Sequence, residues 1–242
     1  MSTHVNEIAP GIYRINTPIA PPGGAQFNFN QYLVADDEPL LFHTGPRGLF
    51  AAVSEAIGRV VPLSELRWIA FSHFEADECG ALNDLLAAAP HAQPVCSQVA
   101  AMVSVNDYAA RPARALADGE VLAIGRHRLR WHDAPHVPHA WENGFMMELD
   151  TKTLFCGDLF TQGGAGAPPL TEDDILGPSE AFRREMDYYA HSPATGAILE
   201  RLAREAPRTL ACMHGSAWRG DGAALLRALA RALSSRPVAA AA

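Results

Sequence analysis

The stretch Ser72-His73-Phe74-Glu75-Ala76-Asp77-Glu78-Cys79-Gly80 places one imidazole and three carboxylates within six residues. It follows directly on the apolar run 68–71, which is typical of a buried strand. Polar side chains clustered just past the end of such a strand indicate a metal site at the edge of a sheet. Imidazole with several carboxylates suits a cation such as iron or manganese better than a thiolate-rich set would. The alternative is a solvated acidic loop that holds a histidine by chance.

The length and charge of the chain narrow the classes of function. A chain of 242 residues can form one large domain or two small ones. Because we find neither a dividing linker nor an internal repeat, we expect a single domain over residues 1–242. The formal net charge of −8 gives no general attraction for nucleic acid or for an anionic membrane surface, so neither partner is expected.

The terminus and the cysteines predict a cytoplasmic protein. No apolar run approaches transmembrane length. The N-terminus lacks the basic segment and apolar stretch that are typical of a signal peptide. Four widely separated cysteines without a CxxC pair predict reduced and mostly buried thiols.

Apolar runs and turn signals predict two groups of strands, each closed by helices. The segments 31–35 and 39–43 form a predicted hairpin, and 49–60 has helical spacing. Further strands are predicted at 68–71, 95–96, 120–132, 145–149, 153–156 and 209–212, and helices at 81–88, 98–106, 179–190, 194–204 and 222–233. Residues 163–178 predict a loop, Pro21-Pro22-Gly23-Gly24 a turn, and 238–242 a frayed tail. We therefore expect an α+β fold, a four-layer αββα sandwich with its polar ligands along one edge.

Candidate ligands follow four of the predicted strands. They are His73, Glu75, Asp77 and Glu78 after the first, one of His132, His136 and His139 after the second, Asp158 after the third and His214 after the last. A lone histidine near a strand end is more often structural. Four strand ends that each offer a histidine or a carboxylate at the same edge predict a common site.

In these motifs the chain resembles the metallo-β-lactamase superfamily. The metal motif of that superfamily runs His-x-(His or Glu)-x-Asp-His, followed by a distant histidine, a bridging aspartate and a final histidine. Phe42-His43-Thr44-Gly45 stands where its members usually have a strand that ends in Asp-Thr-Gly, so His43 replaces the aspartate. Glu75 replaces the second histidine of the zinc hydrolases. This makes the chain similar to the diiron domain of flavodiiron proteins and to the stand-alone oxygen-binding diiron proteins.

The resemblance also assigns ligands. Eighteen residues lie between His139 and Asp158, the spacing that separates a ligand histidine from the bridging aspartate in those proteins, which favours His139 over His132 and His136. One iron would then be held by His73, Glu75 and His139, the second by Asp77 and His214, and Asp158 would bridge them. Zinc and manganese are the alternative metals. Glu78 stands where some members have a ligand histidine, so its role is left open. If it adds a fourth negative charge, it favours the diferric state.

The resemblance implies a non-haem diiron protein that binds dioxygen or nitric oxide. It would act as a sensor or as a slow reductase of that ligand. The chain ends soon after His214, so we expect no flavodoxin domain and a separate electron-donor protein. Relatives form head-to-tail dimers, which predicts a homodimer. The alternative is a metal-dependent hydrolase that acts on an ester, thioester or lactam, although Glu75 and Glu78 replace histidines of the zinc hydrolases. A binding module without chemistry is the third hypothesis. Tyr188 and Tyr189 could line the pocket or only pack.

Overall fold

Two seven-stranded sheets form the centre of the molecule in the computed structural model, which describes residues 2–20, 24 and 26–234. The first sheet contains, in spatial order, β1 (His4–Ala9), β2 (Ile12–Ile19), β3 (Phe27–Val34), β4 (Leu40–Phe42), β5 (Trp68–Ala70), β6 (Gln93–Ser97) and β7 (Arg114–Leu116). The second contains β8 (Val121–Ala123), β9 (Arg128–Asp133), β10 (Gly144–Glu148), β11 (Thr153–Phe155), β12 (Leu170–Thr171), β13 (Thr209–Ala211) and β14 (Ala217–Arg219). Its spatial order is β12-β14-β13-β11-β10-β9-β8.

Helices cover the outer faces of both sheets. They are α1 (Phe50–Gly58), α2 (Ala76–Cys79), α3 (Leu82–Ala88), α4 (Gln98–Ala100), α5 (Asn106–Tyr108), α6 (Leu176–Met186), α7 (Thr195–Arg204) and α8 (Gly222–Ser234). Short 3-10 helices lie at Arg47–Leu49 and Leu63–Glu65, and the π-helical segment Ala101–Val105 joins α4 to α5. Over the described part of the chain, every helix is too short or too polar to cross a membrane.

Three apolar clusters hold the layers together. The first lies between the first sheet and the helices α1 and α3, where Leu33 and Ile69 pack with Ile57. The second lies between the sheets, where Phe42 of β4 packs with Trp131 and Phe155. The third lies between the second sheet and the helices α7 and α8; its members include Leu154, Leu210, Leu202 and Leu226. Apolar faces buried on both sides of each sheet produce the four-layer αββα order, so the predicted fold class is confirmed.

Strand direction explains why the polar loops meet at one edge. Strands β4, β5, β6 and β7 run parallel to one another, and β11 is parallel to β13. Neighbouring parallel strands end at the same edge of a sheet. The residues that follow β4 and β5 therefore lie at one edge of the first sheet, and those that follow β11 and β13 lie at one edge of the second. These residues include His43, His73, Asp158 and His214.

The hairpin β3–β4 and the helix α1 confirm the predictions for those segments. Strands β1 and β2 were not predicted, because buried polar residues such as Arg14 and Asn16 break the apolar pattern. Helix α6 begins at Leu176, inside the predicted loop, and it ends at Met186 because Asp187 adopts a left-handed φ of 45°. All four cysteines are buried and free, as predicted. The segments 21–23 and 238–242, for which a turn and a frayed tail were predicted, lie outside the described residues.

Candidate metal centre

Seven side chains from four loops converge at this edge, and they are the seven that the sequence singled out. Within the described residues, three overlapping sets have ligand atoms that all lie within 4.8 Å of one another. These sets are His73, Glu75 and His139; His73, Glu78 and Asp158; and Asp77, Glu78 and His214. Glu75 precedes α2, and Asp77 and Glu78 lie in its first turn, so one short helix presents three of the carboxylates.

Two imidazoles and a carboxylate form the first set. The Nε2 atom of His73 lies 3.0 Å from Glu75 Oε2 and 3.0 Å from His139 Nε2. His139 Nε2 lies 3.2 Å from the same carboxylate oxygen. Two ring nitrogens at this separation cannot both carry protons toward each other. A shared proton or a cation bound to both nitrogens satisfies the contact, which makes the set suitable for a metal ion.

Asp158 faces both ends of the cluster. Its Oδ2 atom lies 3.7 Å from His73 Nε2 and 3.5 Å from His139 Nε2, whereas Oδ1 lies 3.2 Å from His214 Nε2. His214 Nε2 is also 3.3 Å from Asp77 Oδ2. One carboxylate thus directs one oxygen to each group of ligands, which is the arrangement that a bridging aspartate requires.

Glu78 lies inside the cluster, which settles the position of a side chain whose role the sequence left open. It is fully buried, and its Oε2 atom lies 3.9 Å from His73 Nε2. Neither of its carboxyl oxygens has a hydrogen-bond partner among the described residues. Since an unpartnered buried carboxyl is costly to the fold, its presence in two of the three sets supports a role in holding a cation.

The opposite ring nitrogens are anchored by oxygen atoms of the protein. His139 Nδ1 lies 3.0 Å from the Tyr188 carbonyl oxygen, and His214 Nδ1 lies 2.8 Å from that of Asn28. A carbonyl only accepts, so both Nδ1 atoms carry hydrogen, and in the neutral rings both Nε2 atoms present lone pairs to the site. His73 Nδ1 lies 3.0 Å from the Ser72 hydroxyl, which can donate or accept.

These anchors were missed in the sequence because a main-chain carbonyl leaves no residue signature. The ring of Tyr188 lies beside that of His139, with centroids 6.0 Å apart, and its hydroxyl donates to the carbonyl of Asp158 at 3.1 Å. Tyr189 is buried in the third apolar cluster, which corresponds to the packing alternative.

The loop of His214 is held by buried polar groups of the first sheet. The carbonyl of Gly215 accepts hydrogen bonds from Arg14 at 2.7 Å and from Asn30 at 2.8 Å. Gly215 has a φ of 88°, and a Cβ there would lie 2.6 Å from Gln162 Cβ. Glycine is therefore required, because a side chain would be strained and would also displace the loop.

Charge is distributed unevenly in the cluster. In the metal-free site the close contacts of Glu75 with His139 and His73 lower its pKa to about 2. Burial lowers the pKa of His214, but its contacts with Asp158 and Asp77 outweigh this and raise it to about 10. Burial is the main cause that raises the pKa of Glu78 well above its ordinary value, and the negative charge of Asp158 is the second.

Two further histidines that the sequence offered as alternates lie outside the cluster. His136 is exposed, with a positive φ of 62°. His132 is buried beside Glu205, with 3.5 Å between Nε2 and Oε1. Neither belongs to a donor set in the described residues. Cys79 is not a ligand either, because its thiol donates to the carbonyl of Glu75 at 3.2 Å and burial raises its pKa to about 12.

Imidazole nitrogens with carboxylate oxygens, and no thiolate, form a donor set that iron accepts readily. Among the described residues, both carboxyl oxygens of Glu78 and Oδ1 of Asp158 are buried without a hydrogen bond of good geometry, although Asp158 Oδ1 lies 3.2 Å from His214 Nε2. With the anchored rings of His139 and His214, they leave donor atoms directed at common points. The residues present therefore fit a pair of iron ions.

Comparisons with known proteins agree with this geometry. The profile of a family described as ODP family beta lactamase matches residues 27–215. The rubredoxin-oxygen oxidoreductase of Megalodesulfovibrio gigas is 27% identical over 203 residues, which are 79% of this chain and 49% of that protein. The anaerobic nitric oxide reductase flavorubredoxin of Salmonella arizonae is 26% identical over 206 residues, which are 80% of this chain and 42% of that protein. The chain thus spans about half the length of the curated relatives it matches.

Solved structures show the same fold. The rubredoxin oxygen:oxidoreductase of Desulfovibrio gigas superposes with a TM-score of 0.79 and 23% identity, covering 94% of this chain and 62% of that one. A fragment of a putative diflavin flavoprotein from Nostoc sp. PCC 7120 superposes with a TM-score of 0.79 and 18% identity, covering 96% of this chain and 95% of that one. The chain has the metallo-β-lactamase fold in the form that flavodiiron proteins use.

Proposed function

We propose that this chain, which belongs to the ODP family of beta-lactamase-like proteins, is a non-haem diiron protein that binds and reduces dioxygen or nitric oxide. One observation carries the proposal. Three imidazoles and four carboxylates meet at one edge of the sandwich, and Asp158 directs one oxygen to each half of the cluster. The names of the relatives, an oxygen oxidoreductase and a nitric oxide reductase, support the choice of ligand.

In this proposal His73, Glu75 and His139 would hold the first iron, Asp77 and His214 would hold the second, and Asp158 would serve both. Glu78 lies between the two groups and is proposed as a further ligand. Iron in such a pair supplies the reversible one-electron chemistry that dioxygen and nitric oxide require. Manganese or zinc in its place would give a different activity.

The protein part of the site controls access and charge. The side chain of Glu75 is 55% exposed and that of His139 is 24% exposed, whereas His73 and Glu78 are shielded from solvent. A small diatomic ligand would therefore enter past Glu75. Phe27 and Phe29 pack against the ring of His214 at centroid distances of 4.3 and 5.4 Å, which keeps water from that side.

Electron supply, assembly and location stay predictions. We expect electrons to arrive from another protein or domain at the open side near Glu75, and we expect a homodimer in the cytoplasm. The exposed side chain of Glu75 is a carboxylate and the formal net charge of the chain is −8, so no attraction for nucleic acid is expected.

The test is to purify the protein without oxygen, measure the bound metals by mass spectrometry and then admit air or nitric oxide while recording the absorption spectrum. The proposal predicts about two irons per chain and a new near-ultraviolet or visible band. Asp158→Ala should abolish the band, whereas Asp150→Ala, which removes an exposed carboxylate paired with Arg128, should not. Zinc as the bound metal, with turnover of esters or thioesters, would support the hydrolase alternative and contradict the proposal.

A further inference from the structure

His43 is the buried residue that stands in the place of the usual aspartate, and it contacts both halves of the sandwich. It follows β4 with a positive φ of 68° and is 1% exposed. Its Nδ1 atom lies 2.9 Å from the sulfur of Met213, the residue before His214. Its Nε2 atom lies 3.1 Å from Ser72 Oγ and 3.3 Å from the Ser72 amide nitrogen.

The hydrogen bonds of His43 have only one consistent direction. The amide N–H of Ser72 can only donate, so His43 Nε2 is an acceptor and carries no hydrogen. The hydrogen of the neutral ring is then on Nδ1, directed at the thioether of Met213, a weak acceptor. Because Nε2 accepts, the hydroxyl of Ser72 donates its hydrogen to His43.

This direction determines the proton of the neighbouring ligand. Once the Ser72 hydroxyl has donated to His43, its lone pairs are free to accept from His73 Nδ1 at 3.0 Å. Hydrogen on Nδ1 leaves the lone pair of His73 on Nε2, the atom that faces Glu75 and His139. If His43 did not accept, the hydroxyl could donate to His73 instead, and the neutral ring would then carry its hydrogen on Nε2, where it would block metal binding.

We propose that His43 and Ser72 are positioning residues that fix the hydrogen of His73 on Nδ1 and so present its Nε2 lone pair to a metal ion. This inference rests on the proposed metal site. All three ligand histidines would then carry their hydrogen on Nδ1, because carbonyl oxygens hold it there in His139 and His214. A neutral histidine performs it without adding negative charge, whereas an aspartate would add one beside a cluster that already has four carboxylates.

Burial supports the neutral form of this histidine. Desolvation lowers the pKa of His43 to about 3, outweighing the attraction of Asp158. The left-handed backbone is also compatible, since histidine, asparagine and aspartate are enriched there. Asparagine at this position can adopt the same backbone and offer a carbonyl oxygen to the Ser72 hydroxyl.

The experiment measures metal affinity and a hydrogen-bond signature in the full chain. Competition with a chelator gives the dissociation constants of Fe²⁺, without oxygen, and of Zn²⁺. Proton NMR of the Zn²⁺-loaded protein follows the Nδ1–H signal of His73, assigned by its absence in His73→Gln. We expect Ser72→Ala and His43→Ala to weaken the binding of both metals about ten- to hundredfold, the usual effect of removing a hydrogen-bond partner of a metal ligand. The Nδ1–H signal should be lost by exchange with water in Ser72→Ala.

Three comparisons separate positioning from a loss of fold. His43→Asn should recover most of the affinity, and the double variant should bind no more weakly than Ser72→Ala alone, because His43 acts through Ser72. Ser54→Ala, whose hydroxyl on α1 has no partner among the described residues, should leave both readouts unchanged. Affinity within twofold of wild type in folded Ser72→Ala, with the signal intact, would overturn the inference. Failure of wild type to bind iron or react with oxygen would contradict the proposed function instead, and Zn²⁺ would still decide the role of His43.

Discussion

Replacing Glu78 by glutamine should stabilise the metal-free protein and weaken metal binding. The substitution keeps the shape of a fully buried side chain and removes its acidic group. In the wild-type protein neither carboxyl oxygen has a hydrogen-bond partner among the described residues, and Asp77 and Asp158 lie nearby. The folded protein therefore carries this group at a cost.

The cost follows from the chemistry of the carboxyl. Its ordinary pKa is 4.5, and burial followed by the charge of Asp158 raises it well above that value in the fold. Each pH unit by which the fold raises this pKa, up to the pH of the measurement, costs the metal-free folded protein about 1.4 kcal/mol. We expect Glu78→Gln to raise the free energy of unfolding of the metal-free protein by about 1–3 kcal/mol. Loss of an anionic donor should weaken Fe²⁺ binding at least about tenfold.

Urea unfolding of chelator-treated protein at pH 7 and anaerobic Fe²⁺ titration measure the two effects. Glu180→Gln is the matched control, because Glu180 is nearly as buried but accepts two hydrogen bonds from Arg183, at 2.8 and 2.7 Å. That variant should lose stability and leave iron binding unchanged. A Glu78→Gln protein that is less stable without metal, or that binds Fe²⁺ as tightly as wild type, would refute the reasoning.

Three further predictions concern individual side chains. Redox titration should give a lower midpoint potential for wild type than for Glu78→His, because the extra negative charge favours the ferric state; an equal or higher value would contradict this. His139→Ala should lose bound iron by mass spectrometry, whereas His136→Ala, at an exposed position outside the cluster, should keep it; equal losses would show that His139 has no special role. Burial raises the pKa of Glu148, but hydrogen bonds from Thr151 outweigh burial, and the pKa lies below its ordinary value of 4.5. The ionised carboxylate therefore stabilises the fold above pH 4.5, and this contribution is lost as the pH falls. Glu148→Gln should therefore cost about 1–3 kcal/mol at pH 7 and progressively less in urea unfolding below pH 4.5; a constant difference would contradict the assignment.

The position of the site could be predicted because strand ends are visible in sequence. The apolar runs before His73, Asp158 and His214 are short and buried, and each of these three residues stands three positions after the last residue of its strand. Parallel pairing then brings these ends to the same edge. The choice of His139 over its neighbours came from its spacing to Asp158, and the structure places that histidine in the cluster.

Other features could not be predicted, since they depend on contacts between distant segments. Helix α2 directs the side chain of Glu78 inward and leaves that of its neighbour Asp77 partly buried. A helix of four residues has too short a hydrophobic pattern for this to be predicted from the sequence. The carbonyl oxygens of Asn28 and Tyr188 that anchor two rings carry no side-chain signal. His43 could be recognised only as a departure from the usual aspartate, because its partners Ser72 and Met213 follow two other strands that are distant in sequence.

Anomalous diffraction from iron-loaded crystals, recorded on both sides of the iron absorption edge, tests the central claim most directly. We predict two iron peaks in each chain, one beside His73, Glu75 and His139 and the other beside Asp77 and His214, with Asp158 between them. A single peak, or iron bound away from these residues, would contradict the diiron assignment.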